Sequence, residues 1–119
     1  TNVFYAVRNK SQYEGKKILI AGGGDSALDW TNELSKKSDV TLIHRRKEFR
    51  AAPDSVNKMY ELEKAGIIKF LTGQIKKIKN HDINKILVEY ETDGVTSSIE
   101  VDYLLPFFGG NGFIEFLQD

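Results

Sequence analysis

Ile18-Leu19-Ile20-Ala21 is an unbroken apolar run that stops at three successive glycines. A run without alternation predicts a strand buried on both faces, as in the middle of a parallel sheet. Beyond the glycines the period changes. From Ser26 onward, Ala27, Leu28, Thr31 and Leu34, with Trp30 beside them, recur at helical spacing until the polar residues 35–38. Residues 40–43 repeat the short apolar run and predict a second strand. Pro53, followed by Asp54 and Ser55, has the chemistry of a helix start, and Val56, Met59, Tyr60 and either Leu62 or Glu63 carry the helical period towards Gly66. Residues 67–71 predict a third strand. Strand, helix, strand, helix, strand in this order predicts right-handed crossovers on a parallel sheet.

The alternation then breaks. Residues 74–79, 85–91 and 96–101 are strand-like segments separated by Asn80-His81-Asp82 and by Asp93-Gly94. Short connections of this kind predict an antiparallel meander, and Asp-Gly is a strong turn signal. Residues 101–108 supply a last apolar strand before Gly109-Gly110, and the tail 111–119 is weakly patterned. Ahead of the first strand, residues 8–17 are polar, with one helical turn expected around residues 11–13. The predicted fold is α/β: a three-layer, Rossmann-like domain with a central parallel sheet, two main helices and an antiparallel β-meander.

Length fits one domain over residues 1–119. A core of this size is modest, so some apolar surface is expected to face a partner domain. Seventeen basic residues balance seventeen acidic ones, which argues against a nucleic-acid partner while leaving room for a local anion site. The chain has no cysteine, hence no disulfide framework, thiolate metal site or redox dithiol of its own. No apolar run approaches the roughly 20 residues that span a bilayer, and nothing resembles a signal peptide. No membrane partner and a cytoplasmic location are expected. No residues have metal-ligand spacing and no nucleophile–base pair stands out, so neither a metal nor a catalytic residue is expected in this chain.

Gly22-Gly23-Gly24-Asp25-Ser26-Ala27 fits G-x-G-x-x-A at a strand-to-helix turn. Gly22 allows the tight turn, Gly24 lets the backbone approach a pyrophosphate, and Ala27 permits close packing of helix on sheet. The helix start offers unpaired N–H groups to negative charge. The competing reading is a sharp turn with no ligand. A site for NAD needs an acidic residue about 20 residues on, at the end of the second strand. Here that place is taken by His44-Arg45-Arg46, with Lys47 and Arg50 close behind. A carboxylate would repel a 2'-phosphate, whereas guanidinium groups grip it with paired, charge-assisted hydrogen bonds. The local chemistry therefore points to NADP(H), against the alternative of a solvated basic turn. His44 could instead be a packed histidine. Asp25 could cap the helix, order water or bind the nicotinamide-side ribose. Trp30, Phe49, Tyr60 and Phe70 read as core or domain-contact residues, and His81 as an inert residue in a polar turn.

The glycine string, followed by Thr41-Leu42-Ile43-His44-Arg45-Arg46-Lys47-Glu48-Phe49-Arg50-Ala51, resembles the pyridine-nucleotide domain of the low-molecular-weight thioredoxin reductase family. Phe4-Tyr5-Ala6-Val7 and Asp25 through Trp30 resemble in particular its thioredoxin-reductase-like ferredoxin/flavodoxin–NADP reductase branch. This resemblance implies that Gly22, Gly23, Gly24 and Ser26 surround the pyrophosphate, and that His44, Arg45, Arg46 and Arg50 sit around the adenosine 2'-phosphate. It further implies an FAD-binding domain outside this chain, a homodimer, and hydride transfer between NADPH and flavin with ferredoxin or flavodoxin as electron partner. Segments near residues 5–14 and from 107 onward would act as hinges between the domains. The absence of Cys-x-x-Cys departs from thioredoxin reductases and favours the ferredoxin/flavodoxin branch. Gly109-Gly110-Asn111-Gly112-Phe113 departs from the proline-containing exit of the family. The isolated chain is expected to bind nucleotide and catalyse little. The alternatives are a thioredoxin reductase-like protein with another acceptor, and a non-catalytic nucleotide-binding module.

Overall fold

Both faces of the first strand are covered, which is why its sequence does not alternate. In the computed structural model, which describes residues 10–107, a 3-10 turn at Lys10–Tyr13 precedes β1 (Lys17–Ala21), α1 (Asp25–Leu34) and β2 (Asp39–His44). Then come α2 (Pro53–Lys64), β3 (Ile68–Thr72), β4 (Gln74–Asp82), β5 (Lys85–Thr92), β6 (Val95–Val101) and β7 (Tyr103–Pro106). Four strands form a parallel sheet in the order β3-β2-β1-β7, and β4-β5-β6 form an antiparallel meander. With the two helices this makes a three-layer α/β domain, as predicted. The expected features around Phe4 and Tyr5, and those from residue 108 onward, lie outside the described residues.

Successive residues of a strand face opposite sides. Ile18 and Ile20 accordingly join the helix-side core with Ala27, Leu28, Leu42 and Met59. Leu19 and Ala21 join the meander-side core with Ile75, Ile86, Val88 and Val101. Leu105 and Leu104 of β7 divide in the same way. None of residues 18–21 is more than 1% exposed. The helical period of α1 is satisfied by the burial of Ala27, Leu28, Thr31 and Leu34. In α2, Pro53 occupies the first turn and Met59 is buried, with Val56 and Leu62 packed on the same core.

The boundaries shift where pairing overrides local polarity. β4 runs through Asn80 and His81 to Asp82, because Asn80 pairs with Ile86 and Asp82 with Lys85. The turn is therefore at Ile83-Asn84, where Asn84 takes a positive φ of 62°. His81 is in a strand, with Nε2 3.1 Å from the Glu100 carboxylate. Asp93-Gly94 is the predicted tight turn, with φ of 51° and 82° at its two residues. Residue 102 divides the last apolar stretch into β6 and β7. Its amide donates to Lys17 O at 2.8 Å, and its carboxylate accepts the Lys17 N–H at 2.8 Å and the Lys85 ammonium. Burial pushes the Asp102 carboxyl up, but the bonds from Lys85 and from the Lys17 amide outweigh it and hold the group below the usual carboxylate range.

Gly73 marks the crossing from the parallel sheet to the meander. Its N–H donates to His44 O at 2.9 Å. A Cβ there would lie 2.7 Å from Thr92 Oγ1 and 2.9 Å from Glu91 O. A Gly73→Ala variant should lose about 1–3 kcal/mol in urea unfolding, the usual cost of overpacking. A loss below about 0.5 kcal/mol, no more than an ordinary surface substitution, would show that the crossing relaxes freely. Because the folded-state titration of Asp102 is depressed, its contribution is present above the unfolded carboxyl value of about 3.9 and fades as pH falls through the folded one. The stability gap between wild type and Asp102→Asn should therefore shrink on acidification. A gap independent of pH down to about 2, below the carboxyl range, would contradict this.

Candidate functional site

β1 pairs with β2 on one side and with β7 on the other. The order of the strands thus reverses at β1, and in open α/β sheets ligands bind beyond the carboxyl ends of the strands at such a point. The glycine turn leaves β1 at that point. Gly22 has φ 145°, and a Cβ on it would lie 2.8 Å from Phe107 O and 3.2 Å from Ala27 Cβ. Its N–H donates to Ile43 O at 3.1 Å, and Phe107 N–H donates to Ala21 O at 2.8 Å. Gly22 therefore serves the sharp turn and the close packing of Ala27 together.

Gly24 is the N-cap residue of α1, and no side chain caps that helix. A Cβ on Gly24 would meet nothing nearer than Arg50 O at 3.9 Å. Asp25 and Ser26 are exposed. The leading N–H groups of α1 and the positive end of its dipole consequently stand beside open backbone, a ready cradle for an anion.

Gly23 is required for a different reason. A Cβ there would fall 2.3 Å from His44 Cε1 and 2.4 Å from His44 Nε2. The imidazole stacks on Phe49 with ring centroids 5.1 Å apart, and its Nε2 lies 3.0 Å from Glu48 O. A carbonyl can only accept, so this geometry places the proton on Nε2. Burial lowers the His44 pKa, the Glu48 carbonyl and carboxylate raise it, and Arg45 and Arg46 lower it again, with a net decrease. The ring is thus half-buried, against Gly23 and Phe49.

Residues 45–52 lie across this end of the sheet. Phe49 packs against Phe70 and Tyr60, with centroids 5.3 and 6.2 Å away, and Tyr60 Oη donates to Lys47 O at 3.1 Å. Arg50 N–H donates to Gly23 O at 2.7 Å, and Gly24 and Arg50 pair as a parallel bridge. Ala52 N–H donates to Asp25 Oδ1 at 2.8 Å. Arg45, Arg46 and Arg50 are exposed, and none forms an ion pair with a carboxylate among the described residues. The structure thus gathers the glycine turn and the basic residues at one end of the sheet. Motif reasoning missed two features there. The position between the glycines of G-x-G tolerates any residue in the motif, and only its neighbour His44 demands glycine at 23. The bond from Asp25 to a residue 27 positions away leaves no local signal.

Elsewhere the chain is plainer. A shallow depression lined by Glu14, Glu33, Leu34, Lys36, Lys37 and Ser38 lies at the opposite end of α1, and its lysines pair with Glu33 and Glu14 at 3.3 and 3.6 Å. Among the described residues there is no group of side chains suited to a metal ion. No described helix is long and apolar enough to cross a membrane.

A family model described as pyridine nucleotide-disulphide oxidoreductase matches residues 1–119. A ferredoxin–NADP reductase from Parvibaculum lavamentivorans is 49% identical over 111 residues, covering 91% of this chain and 32% of that protein. Ferredoxin–NADP reductase 2 from Cupriavidus taiwanensis is 47% identical over 111 residues, covering 90% and 30%. The chain spans about a third of the length of the curated relatives it matches. Among solved structures, thioredoxin reductase from Lactococcus lactis superposes with a TM-score of 0.73 at 28% identity, over 84% of this chain and 33% of that one. Bacillithiol disulfide reductase from Bacillus cereus reaches a TM-score of 0.80 over 98% of this chain and 36% of its own, at 22% identity, a likeness of fold alone.

The packing of His44 generates a titration test. With its folded-state value depressed, protonation favours the unfolded chain. Its contribution is complete above about pH 6.5 and is lost as pH falls through the lowered value. An NMR titration of the His44 ring should show a midpoint below the ordinary value of about 6.5. A midpoint at or above that value would mean that burial does not govern the ring's titration.

Proposed function

The chain belongs to the pyridine nucleotide-disulphide oxidoreductase family, homologous to the NADPH-binding module of ferredoxin–NADP reductase and thioredoxin-reductase-like flavoenzymes, and we propose that residues 1–119 are the NADP(H)-binding domain of an FAD-dependent reductase. The FAD-binding domain belongs to the remainder of that protein. In the whole cytoplasmic, homodimeric enzyme, the bound nicotinamide exchanges hydride with flavin, and ferredoxin or flavodoxin is the electron partner. The absence of cysteine from this chain favours such a partner over a disulfide.

The residues present fit the nucleotide. Gly24 leaves open space beside an uncapped helix start, where the diphosphate would meet the N–H groups of Asp25, Ser26 and Ala27. Gly22 and Gly23 let the turn lie flat between Phe107 and His44. Arg45, Arg46 and Arg50 are free to enclose the adenosine 2'-phosphate, with His44 packed over Gly23 beside them. This chain contributes grip and orientation, and no acid or base.

The observation that carries the reading is the cluster of exposed arginines, without carboxylate partners among the described residues, at the end of β2, where an NAD site would place an acid. Calorimetric titration with NADP+ and NAD+ at two salt concentrations tests it. NADP+ should bind more tightly, its affinity should fall with salt, and Arg45→Ala should weaken it about tenfold, as expected for a charge-assisted hydrogen bond. Equal affinities for the two nucleotides would overturn the 2'-phosphate assignment.

A further inference from the structure

Asp25 begins α1, yet its carboxylate is engaged elsewhere. Oδ1 accepts the N–H of Ala52 at 2.8 Å. Two residues earlier on each strand of chain, Gly23 O accepts the N–H of Arg50 at 2.7 Å. Residues 23–25 and 50–52 thus form a short rung pair, one bond from the main chain and one from a side chain. Ala52 is the N-cap residue of α2 and has no polar side chain with which to anchor itself. The next turns of α1 continue the attachment. Asp29 Oδ1 accepts the Ser55 hydroxyl at 3.1 Å, and Asn32 Nδ2 donates to Ser55 O at 3.1 Å. Positions 25, 29 and 32 share one helix face, so a polar stripe of α1 holds the start of α2 and the end of the arginine segment.

We propose that Asp25 is a positioning residue, which holds Arg50 against the glycine turn and thereby sets affinity for a 2'-phosphorylated adenosine without touching the nucleotide. This rests on the NADP(H) reading above. The chemistry favours indirect action. A carboxylate next to a diphosphate repels it, so the negative charge of Asp25 is a cost to binding rather than a contact. What the residue supplies is an acceptor for Ala52, and the carbonyl oxygen of asparagine supplies the same acceptor without the charge.

The test uses the 119-residue chain, NADP+ and adenosine 2',5'-bisphosphate, which carries the 2'-phosphate but has no nicotinamide ribose. Asp25→Ala should weaken both ligands about tenfold, the scale of a lost charge-assisted hydrogen bond, and should accelerate amide exchange at Arg50 and Ala52 while leaving the β1 amides protected. Asp25→Asn should restore binding of both to the wild-type level or better. Adding Arg50→Ala to Asp25→Ala should weaken binding by much less than Arg50→Ala does alone, since the two act as one unit. If Asp25→Ala weakens NADP+ but leaves the bisphosphate unchanged, Asp25 is a ligand of the nicotinamide ribose and the proposal is wrong. Unchanged binding of both ligands, with wild type binding normally, overturns the proposal alone. Failure of wild type to bind either ligand overturns the NADP(H) reading, and the proposal with it.

Discussion

Everything in this domain depends on the burial of β1 from both sides. A strand in that position favours apolar residues on both faces, and it is stabilised only if a layer is supplied above and below it. The helices supply one layer and the meander the other. Neither layer alone would bury all four of residues 18–21. The meander is thus a structural necessity for the nucleotide-type half of the fold, even though its residues stand apart from the glycine turn. Asp102 secures that layer to the start of β1 through Lys17 and to β5 through Lys85.

Burying β1 also determines where the chemistry can be. The strand ends where its two cores end, and the chain has to turn sharply between Ile43 on one side and Phe107 on the other. Glycine at 22 meets that steric demand. The helix that follows then starts with free N–H groups at the sheet's open end, and the segment after β2 is drawn to the same place by main-chain pairing of Gly23 and Gly24 with Arg50. The candidate site is therefore the outcome of packing at the end of a buried strand, to which exposed arginines add the charge.

Most of the architecture was legible because it is written in short-range patterns. The apolar run of residues 18–21, the helical spacing of Ala27, Leu28, Thr31 and Leu34, and the Pro53 start each report on their own surroundings. The end of β4 was less so, since Asn80 and His81 are polar and are held in a strand by partners on β5 and β6. The glycine turn and the basic residues could be picked out as chemistry, but not their mutual arrangement. His44 over Gly23, and Asp25 on Ala52, are contacts between residues about two dozen positions apart, and no periodicity encodes such a meeting.

The bond between Gly23 O and Arg50 N–H joins backbone to backbone, so it is indifferent to the side chain at position 50. Glycine 23, by contrast, is locked while a histidine lies over it. Mutational drift thus meets two different rules within one small site. The path of the segment after β2 is held by main-chain pairing at 50 and by the Asp25 carboxylate at 52, and the charges displayed on it can be exchanged one at a time without breaking either bond. Point substitutions at 45, 46 and 50 change only the charge displayed at this end of the sheet, whereas any change at 23 must wait for a prior change at 44.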